Sequence, residues 1–284
     1  MIKVNELFFT YAATDKEAIH GLNFEVEKGE IFGFLGPSGA GKSTTQKILI
    51  RLLQGFEGQV SVLDKDLRSW GYDLYERIGV SFELPNHYSK LTGTENLKYF
   101  GSLYKNGYAA PQELLEKVGL ENDGPMLVSQ YSKGMKNRLN VARSLLHSPE
   151  LLFLDEPTAG LDPLNARRIK DLIKSQQSAG KTIFLTTHDM SVADELCDRV
   201  AFIVDGKISL IDSPKSLKVQ YGIPEVRVEY QSNGKLEHKD FQLDGLGGDK
   251  AFIKLLKENN TRTIHTKEAT LESIFINVTG RNLL

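Results

Sequence analysis

Cysteine occurs once in the 284 residues, at Cys197, so no internal disulfide framework can form and the composition suits a reducing compartment. Cys197 closes a short helical pattern, Ser191-Val192-Ala193-Asp194-Glu195-Leu196-Cys197, where a thiol reads as a small core residue rather than a redox centre or metal ligand. Long apolar runs are absent as well, since none approaches the roughly 18 residues of a membrane-crossing helix. The opening MIKVNELFF has neither a charged n-region with a long apolar core nor a small-residue cleavage site. No sign of charge is in excess either: 35 Lys and Arg stand against 37 Asp and Glu, a net of −2. That balance indicates no polyanion-binding surface, so nucleic acid is not an expected partner. These absences predict a soluble, cytoplasmic chain whose membrane role, if any, runs through another polypeptide.

What the chain does hold is Gly36-Pro37-Ser38-Gly39-Ala40-Gly41-Lys42-Ser43-Thr44, which meets every position of the pattern G-x-x-x-x-G-K-[ST]. Glycines let the backbone curl so that successive N–H groups point at phosphate oxygens, and the helix after the loop adds the positive end of its dipole. Lys42 would bridge the β- and γ-phosphates, and the Ser43 hydroxyl would hold Mg²⁺. Glu30 to Leu35 reads as a buried strand entering the loop. Ile48, Leu49, Leu52 and Leu53 recur at helical spacing until Gly55 ends the helix. A nucleoside triphosphate with Mg²⁺ is the ligand this pattern implies.

Val4 to Thr10 and Leu22 to Val26 alternate loosely and predict an antiparallel flap beside a parallel core sheet. Arg77 to Phe82, Leu151 to Leu154, Thr182 to Thr187 and Val200 to Val204 are short apolar runs that fit strands buried on both faces of a doubly wound α/β sheet. Residues 85–148 differ in character. Glu95 to Tyr104, Pro111 to Val118 and Lys133 to His147 read as helices, the first opened by a Thr92/Glu95 capping box, and together predict an inserted helical subdomain. Asp205-Gly206 predicts a tight hairpin closing the core near Asp212. Beyond Pro214 the pattern changes: Val226, Val228 and Tyr230 alternate with polar residues, Ala251 to Leu256 looks helical, and Leu271 to Val278 reads as an amphipathic terminal helix. The expected division is a nucleotide-binding domain over residues 1–218 and a small α/β module over 219–284.

Leu151-Leu152-Phe153-Leu154-Asp155-Glu156 sets two adjacent carboxylates at the carboxyl end of a buried strand, the edge where open parallel sheets hold ligands. Asp155 would ligate Mg²⁺ through its water shell, and Glu156 could take a proton from a water attacking the γ-phosphate. The longer run Asp155-Glu156-Pro157-Thr158-Ala159-Gly160-Leu161-Asp162-Pro163 resembles the Walker B and D-loop region of ABC-type ATPases. Tyr131-Ser132-Lys133-Gly134-Met135 is similar to that family's LSGGQ signature, and Thr187-His188-Asp189 looks like its switch histidine. Tyr11 stands where the family places an aromatic that stacks on adenine. These motifs keep the family's order over roughly residues 2 to 215.

The resemblance implies that Ser132 and Gly134, at a helix N-terminus, reach γ-phosphate oxygens of a second subunit. Two ATP molecules would then be clamped between two head-to-tail copies, a homodimer or a paralogous heterodimer, with Asp162 contacting the partner as well as capping its own helix. His188 is assigned a hydrogen bond to the γ-phosphate and help in orienting Glu156 and the water. Variants of this kind resemble export-type members with a separate permease, and Thr270-Leu271-Glu272-Ser273-Ile274-Phe275 with Thr279-Gly280-Arg281 resembles their tail. The implied function is an ATP-hydrolysing subunit on the cytoplasmic face of the cell membrane. It would couple dimer closure to export by an integral membrane permease, whose short cytoplasmic helix would enter a groove around Pro85 to Tyr104. The alternatives are a non-transport ABC-type ATPase acting on a soluble complex and a nucleotide-dependent regulator that does not hydrolyse. The first lacks heptad arms that would point to DNA maintenance, and Glu156 weighs against the second.

Three positions depart from the family pattern. Glu83 stands where a glutamine usually links Mg²⁺ and water to the helical subdomain; Lys133 replaces a glycine and Met135 a glutamine of the signature. Lys133 has two roles open to it, a positive charge near the partner's γ-phosphate or a solvent-facing residue at the helix start. Glu83 can accept a hydrogen bond from metal-bound water but cannot donate one while ionised. Glu83→Gln is therefore expected to shift Mg²⁺ dependence or nucleotide affinity several-fold. ATPase rates titrated with Mg²⁺ check this, and curves that superimpose on the parent's would refute it.

Overall fold

The computed structural model describes residues 1–12, 17–222, 224–232, 234–258, 260–267 and 269–281. In chain order its first elements are β1 (Ile2–Thr10), β2 (Glu17–Val26), β3 (Ile31–Leu35), α1 (Lys42–Leu49), β4 (Glu57–Val62), β5 (Lys65–Asp66) and β6 (Ile78–Ser81). Then come α2 (Gly93–Gly101), α3 (Pro111–Val118), α4 (Lys133–Ser144), β7 (Leu151–Asp155), α5 (Pro163–Ser178), β8 (Thr182–Thr187), α6 (Met190–Leu196), β9 (Arg199–Val204), β10 (Lys207–Asp212) and α7 (Pro214–Tyr221). The chain finishes with β11 (Glu225–Ser232), β12 (Lys235–Gln242), α8 (Lys250–Glu258), β13 (Asn260–Thr266) and α9 (Leu271–Thr279).

Every residue of β3, β7 and β8 is buried, which is why these strands read as unbroken apolar runs. They lie in a six-stranded sheet of order β10-β9-β3-β8-β7-β6, parallel throughout except for β10, which pairs antiparallel with β9. Successive side chains point to opposite faces. Phe32, Phe34, Phe153 and Phe184 pack with Phe24 of β2 beneath the flap, whereas Ile31, Leu35, Leu152, Leu154, Ile183 and Leu185 face the helices. The flap is the antiparallel sheet β2-β1-β4-β5. Asp205 and Gly206 both take positive φ, +46° and +71°, as the two-residue turn joining β9 to β10 requires. Cys197 is buried where α6 runs into β9, and burial pushes its thiol pKa up, consistent with a packing role.

Helices α2, α3 and α4 form the insertion between β6 and β7. Thr92 Oγ1 accepts from Glu95 N at 3.1 Å while Glu95 Oε2 accepts from Thr92 N at 2.8 Å, the reciprocal cap expected from the sequence. α2 and α4 stop short of Tyr104 and His147 because i→i+3 turns tighten their ends, with Leu103 N bonded to Phe100 O and Leu146 N to Arg143 O. α1 also ends early, at Leu49 rather than before Gly55. Arg51 takes φ +64°, the Leu52 and Leu53 amides fold back onto Lys47 O, and Leu52 is left 54% exposed.

The last part of the chain splits between two places. β12-β11-β13 form a three-stranded sheet whose Val226, Val228 and Phe241 pack with Leu255 of α8. α9, by contrast, lies on the main core: Leu271, Ile274 and Phe275 join the cluster under β9, and Phe275 meets Phe202 edge-to-face at 5.2 Å. The amphipathic pattern of α9 shows that one face is buried but not against what. Phe275→Ala should therefore destabilise the main core by about 3–5 kcal/mol. Urea unfolding checks this, and a midpoint shift confined to a separate, smaller transition would contradict it.

Candidate active site

The loop between β3 and α1 is shaped by two glycines. At Gly36 a Cβ would stand 2.1 Å from Ile203 O of β9, so no larger residue fits between the strands. Gly41 takes φ +110° at the N-cap of α1 and offers no capping side chain, whereas α2, α4, α5, α6, α7 and α9 are capped by Thr92, Ser132, Asp162, Asp189, Ser213 and Thr270. The first-turn N–H groups of α1 are thus left to an external acceptor. Lys42 is buried, and its Nζ donates to Gly36 O at 2.6 Å and Pro37 O at 3.0 Å. Burial pulls its pKa down, opposed by the charges of Glu156, Asp155 and Glu83.

Parallel register brings the other groups to this loop. Leu35 stands opposite Thr187, and Asp155 opposite Thr186. Asp155 is buried and accepts a hydrogen bond from the Thr186 hydroxyl; burial pushes its carboxyl pKa up, with Thr186 and Lys42 opposing and Glu156 and Glu83 adding. Glu156, at φ +48°, is held by three donors. Thr187 Oγ1 donates to Oε2 at 2.9 Å, His188 N donates to Oε1 at 2.8 Å, and His188 Nδ1 lies 2.6 Å from the same oxygen. A cavity of about 410 Å³ is lined by Ser38, Gly39, Gly41, Lys42, Ser43, Thr44, Glu83, Asp155, Glu156 and His188. Its Ser43, Asp155 and Glu83 oxygens make a donor set that suits a hard divalent cation such as Mg²⁺. Tyr11 is not among the residues lining the cavity; its hydroxyl lies 3.0 Å from Oγ1 of Thr44, which does line it, and its ring is edge-on to Phe9.

The signature residues are elsewhere. Among the described residues, none of Ser132, Lys133, Gly134, Met135 and Asp162 lines this cavity. Ser132 caps α4 through Met135 N at 3.2 Å, and Asp162 caps α5 through Asn165 N at 3.0 Å. The segment carrying Glu83 is fixed to α4 instead: Asn140 Nδ2 donates to Phe82 O at 2.7 Å and Ser81 Oγ at 3.0 Å, Arg143 reaches Asn86 O at 2.7 Å, and His87 Nε2 meets Lys136 O at 2.9 Å. Asn140, Arg143 and Thr186 belong to no motif that sequence reasoning brought forward, and Thr187 entered only as the residue before His188, with no role of its own. The signal in the chain for Asn140, Thr186 and Thr187 is that they are polar residues within buried stretches of α4 and β8; half-buried Arg143 carries no such signal.

A family model described as ABC transporter matches residues 19–159, and one described as fluoroquinolone efflux ABC transporter C-terminal domain matches residues 225–268. The fluoroquinolones export ATP-binding protein of Mycobacterium tuberculosis is 57% identical over the whole of this chain and 94% of its own length. The bacitracin transport ATP-binding protein BcrA of Bacillus licheniformis is 40% identical over 73% of this chain and 68% of its own. Among solved structures, a dimeric post-hydrolysis ATP-binding cassette bound to ADP and Pi superposes with a TM-score of 0.69 at 28% identity, over 75% of this chain and 98% of that one.

Gly36→Ala should lower stability by about 3 kcal/mol, because the added methyl collides with a main-chain oxygen of a buried strand. It should also lose nucleotide binding; calorimetry with ATP and urea unfolding together check this, and a variant matching the parent in both would contradict it.

Proposed function

The chain belongs to the ABC transporter family, whose ATP-binding subunits hydrolyse ATP to drive transport, and on that premise we propose a division of labour among its residues. The loop amides of Gly36 to Thr44 and the Lys42 ammonium cradle the triphosphate, and Tyr11 stacks on adenine. Ser43, Asp155 and Glu83 hold Mg²⁺, which when bound neutralises phosphate charge. Glu156 accepts the proton of the attacking water, and His188 orients both Glu156 and the γ-phosphate. The observation that carries this reading is the Glu156–His188 pair, 2.6 Å apart, opening onto the same cavity as Lys42 and Asp155.

The site is half-built in one chain, because the signature turn Ser132 to Met135 and Asp162 lie outside the cavity. A second copy supplies them, so nucleotide binding and homodimer closure are one event. No helix among the described residues is long and apolar enough to cross a membrane. A separate permease therefore provides the path, with this subunit held on the cytoplasmic face. Its cytoplasmic helix docks in the cavity of about 800 Å³ between Tyr72, Tyr75 and Phe82 on one side and Phe100, Leu103 and Tyr104 on the other. Because Phe82 and Arg143 also line that groove, the bonds joining residues 81–87 to α4 link the permease to the Glu83 side of the ATP site. We read β11 to β13 with α8 as an accessory module and α9 as part of the ATP-binding domain. The match over residues 225–268 and the name of the 57% relative favour export of fluoroquinolone-like compounds, chosen by the permease.

Glu156→Gln is expected to cut ATP turnover by at least about 100-fold while stabilising an ATP-bound dimer. Phosphate release and light scattering read the two effects. A variant that stays monomeric with magnesium-ATP bound would overturn the shared-site reading.

A further inference from the structure

The loop that leaves Glu156 is fastened to α4 at two points. Asn137, on α4, is only 4% exposed, and its Nδ2 donates to Pro157 O at 3.3 Å and to Ala159 O at 3.1 Å. One turn nearer the start of α4, Gly134 approaches the same loop so closely that a Cβ there would stand 3.3 Å from Leu161 Cδ2 and 3.4 Å from Gly160 O. The loop is itself a tight unit, with Ala159 N bonded to Glu156 O at 3.1 Å and Leu161 N to Thr158 O at 3.2 Å. Asn137 Oδ1 is buried and meets no hydrogen-bond partner among the described residues, so the amide is oriented by its donors alone.

Each end of this link reaches a group of the proposed site. Ser132 begins the helix that carries Asn137, and Pro157 is covalently joined to Glu156, whose backbone is already at φ +48°. A shift of the first turn of α4 therefore reaches the Glu156 main chain through one buried amide rather than through the long chain path between them. Two directional hydrogen bonds transmit displacement where apolar packing alone would let the loop slide.

We propose that Asn137 is a positioning residue that ties the seating of Ser132 on the partner copy's nucleotide to the aim of Glu156 at its own. The proposal rests on the reading that two copies share each nucleotide. In that arrangement Ser132 and Glu156 of one protomer serve different ATP molecules, so Asn137 makes each cleft sensitive to occupancy of the other.

The test uses the full chain carrying Asn137→Ala or Asn137→Gln, each in the native background and in the Glu156→Gln background. Light scattering of the Glu156→Gln forms reads ATP-driven dimerisation, and initial rates in the native background separate kcat from KM. Asn137→Ala should keep dimerisation and KM within about threefold yet lower kcat about tenfold or more, the loss expected for two hydrogen bonds. Asn137→Gln, which retains the donors, should restore most of kcat. The proposal is overturned if Asn137→Ala leaves kcat unchanged, if kcat and dimerisation fall in proportion, or if glutamine restores nothing. Should Asn137→Ala not fold, amide exchange of the Glu156→Gln chain decides instead. ATP must then protect residues 132–138 and 157–162 together, and independent responses reject the coupling. A Glu156→Gln chain that never dimerises defeats the shared-nucleotide reading itself, whereas a dimer with unaltered kcat in Asn137→Ala defeats only the coupling.

Discussion

When β3, β8 and β7 pair in parallel, Leu35 comes to stand opposite Thr187 and Asp155 opposite Thr186, and three segments far apart in the chain end at one edge. Everything chemical in the molecule depends on that register. A slip of one residue would turn each strand's side chains to the opposite face, separating the Thr186 hydroxyl from Asp155 and Thr187 from Glu156. The register is held by burial on both faces: the phenylalanines pack beneath the flap while the aliphatic residues between them pack against helices. A hydrophobic constraint thus fixes a polar site.

At that edge the electrostatics are finely opposed. Lys42 is the cation of the cavity lining, facing Glu83, Asp155 and Glu156, and burial disfavours the charged form of both Lys42 and Asp155. A bound cation and the loop amides would complete the balance that a triphosphate requires. Glu156 is fixed by three hydrogen bonds, so the direction of its carboxylate is set by the fold itself, the preorganisation that the proposed role as a base would call for.

The helical insertion and the C-terminal segments attach to this edge in different ways. Residues 81–87 are bonded to α4 by Asn140, Arg143 and His87, and the loop after Glu156 is bonded to α4 by Asn137. One helix therefore touches both sides of the site. The three-stranded C-terminal sheet has its own small core, while α9 returns to the main one through Phe275.

The phosphate loop, the Asp155-Glu156 pair, the parallel sheet and the inserted helices were legible in the sequence because each depends on local rules: glycine placement, apolar runs and capping residues. The Thr92/Glu95 cap and the Asp205-Gly206 turn are of the same kind. Less legible were the ends of α1, α2 and α4, set by turns whose bonds depend on where the chain must go next. Illegible were contacts between distant segments: Thr187 on Glu156, Asn140 on Phe82, Asn137 on Pro157, and the choice of α9 to pack on β9 rather than on the sheet just before it. By itself the sequence determined where most elements lie and which residues match the phosphate-loop pattern, since those depend on spacing within about ten residues. Only the tertiary structure decided which elements meet, because burial drives association without naming a partner, and the partner is chosen by shape and register.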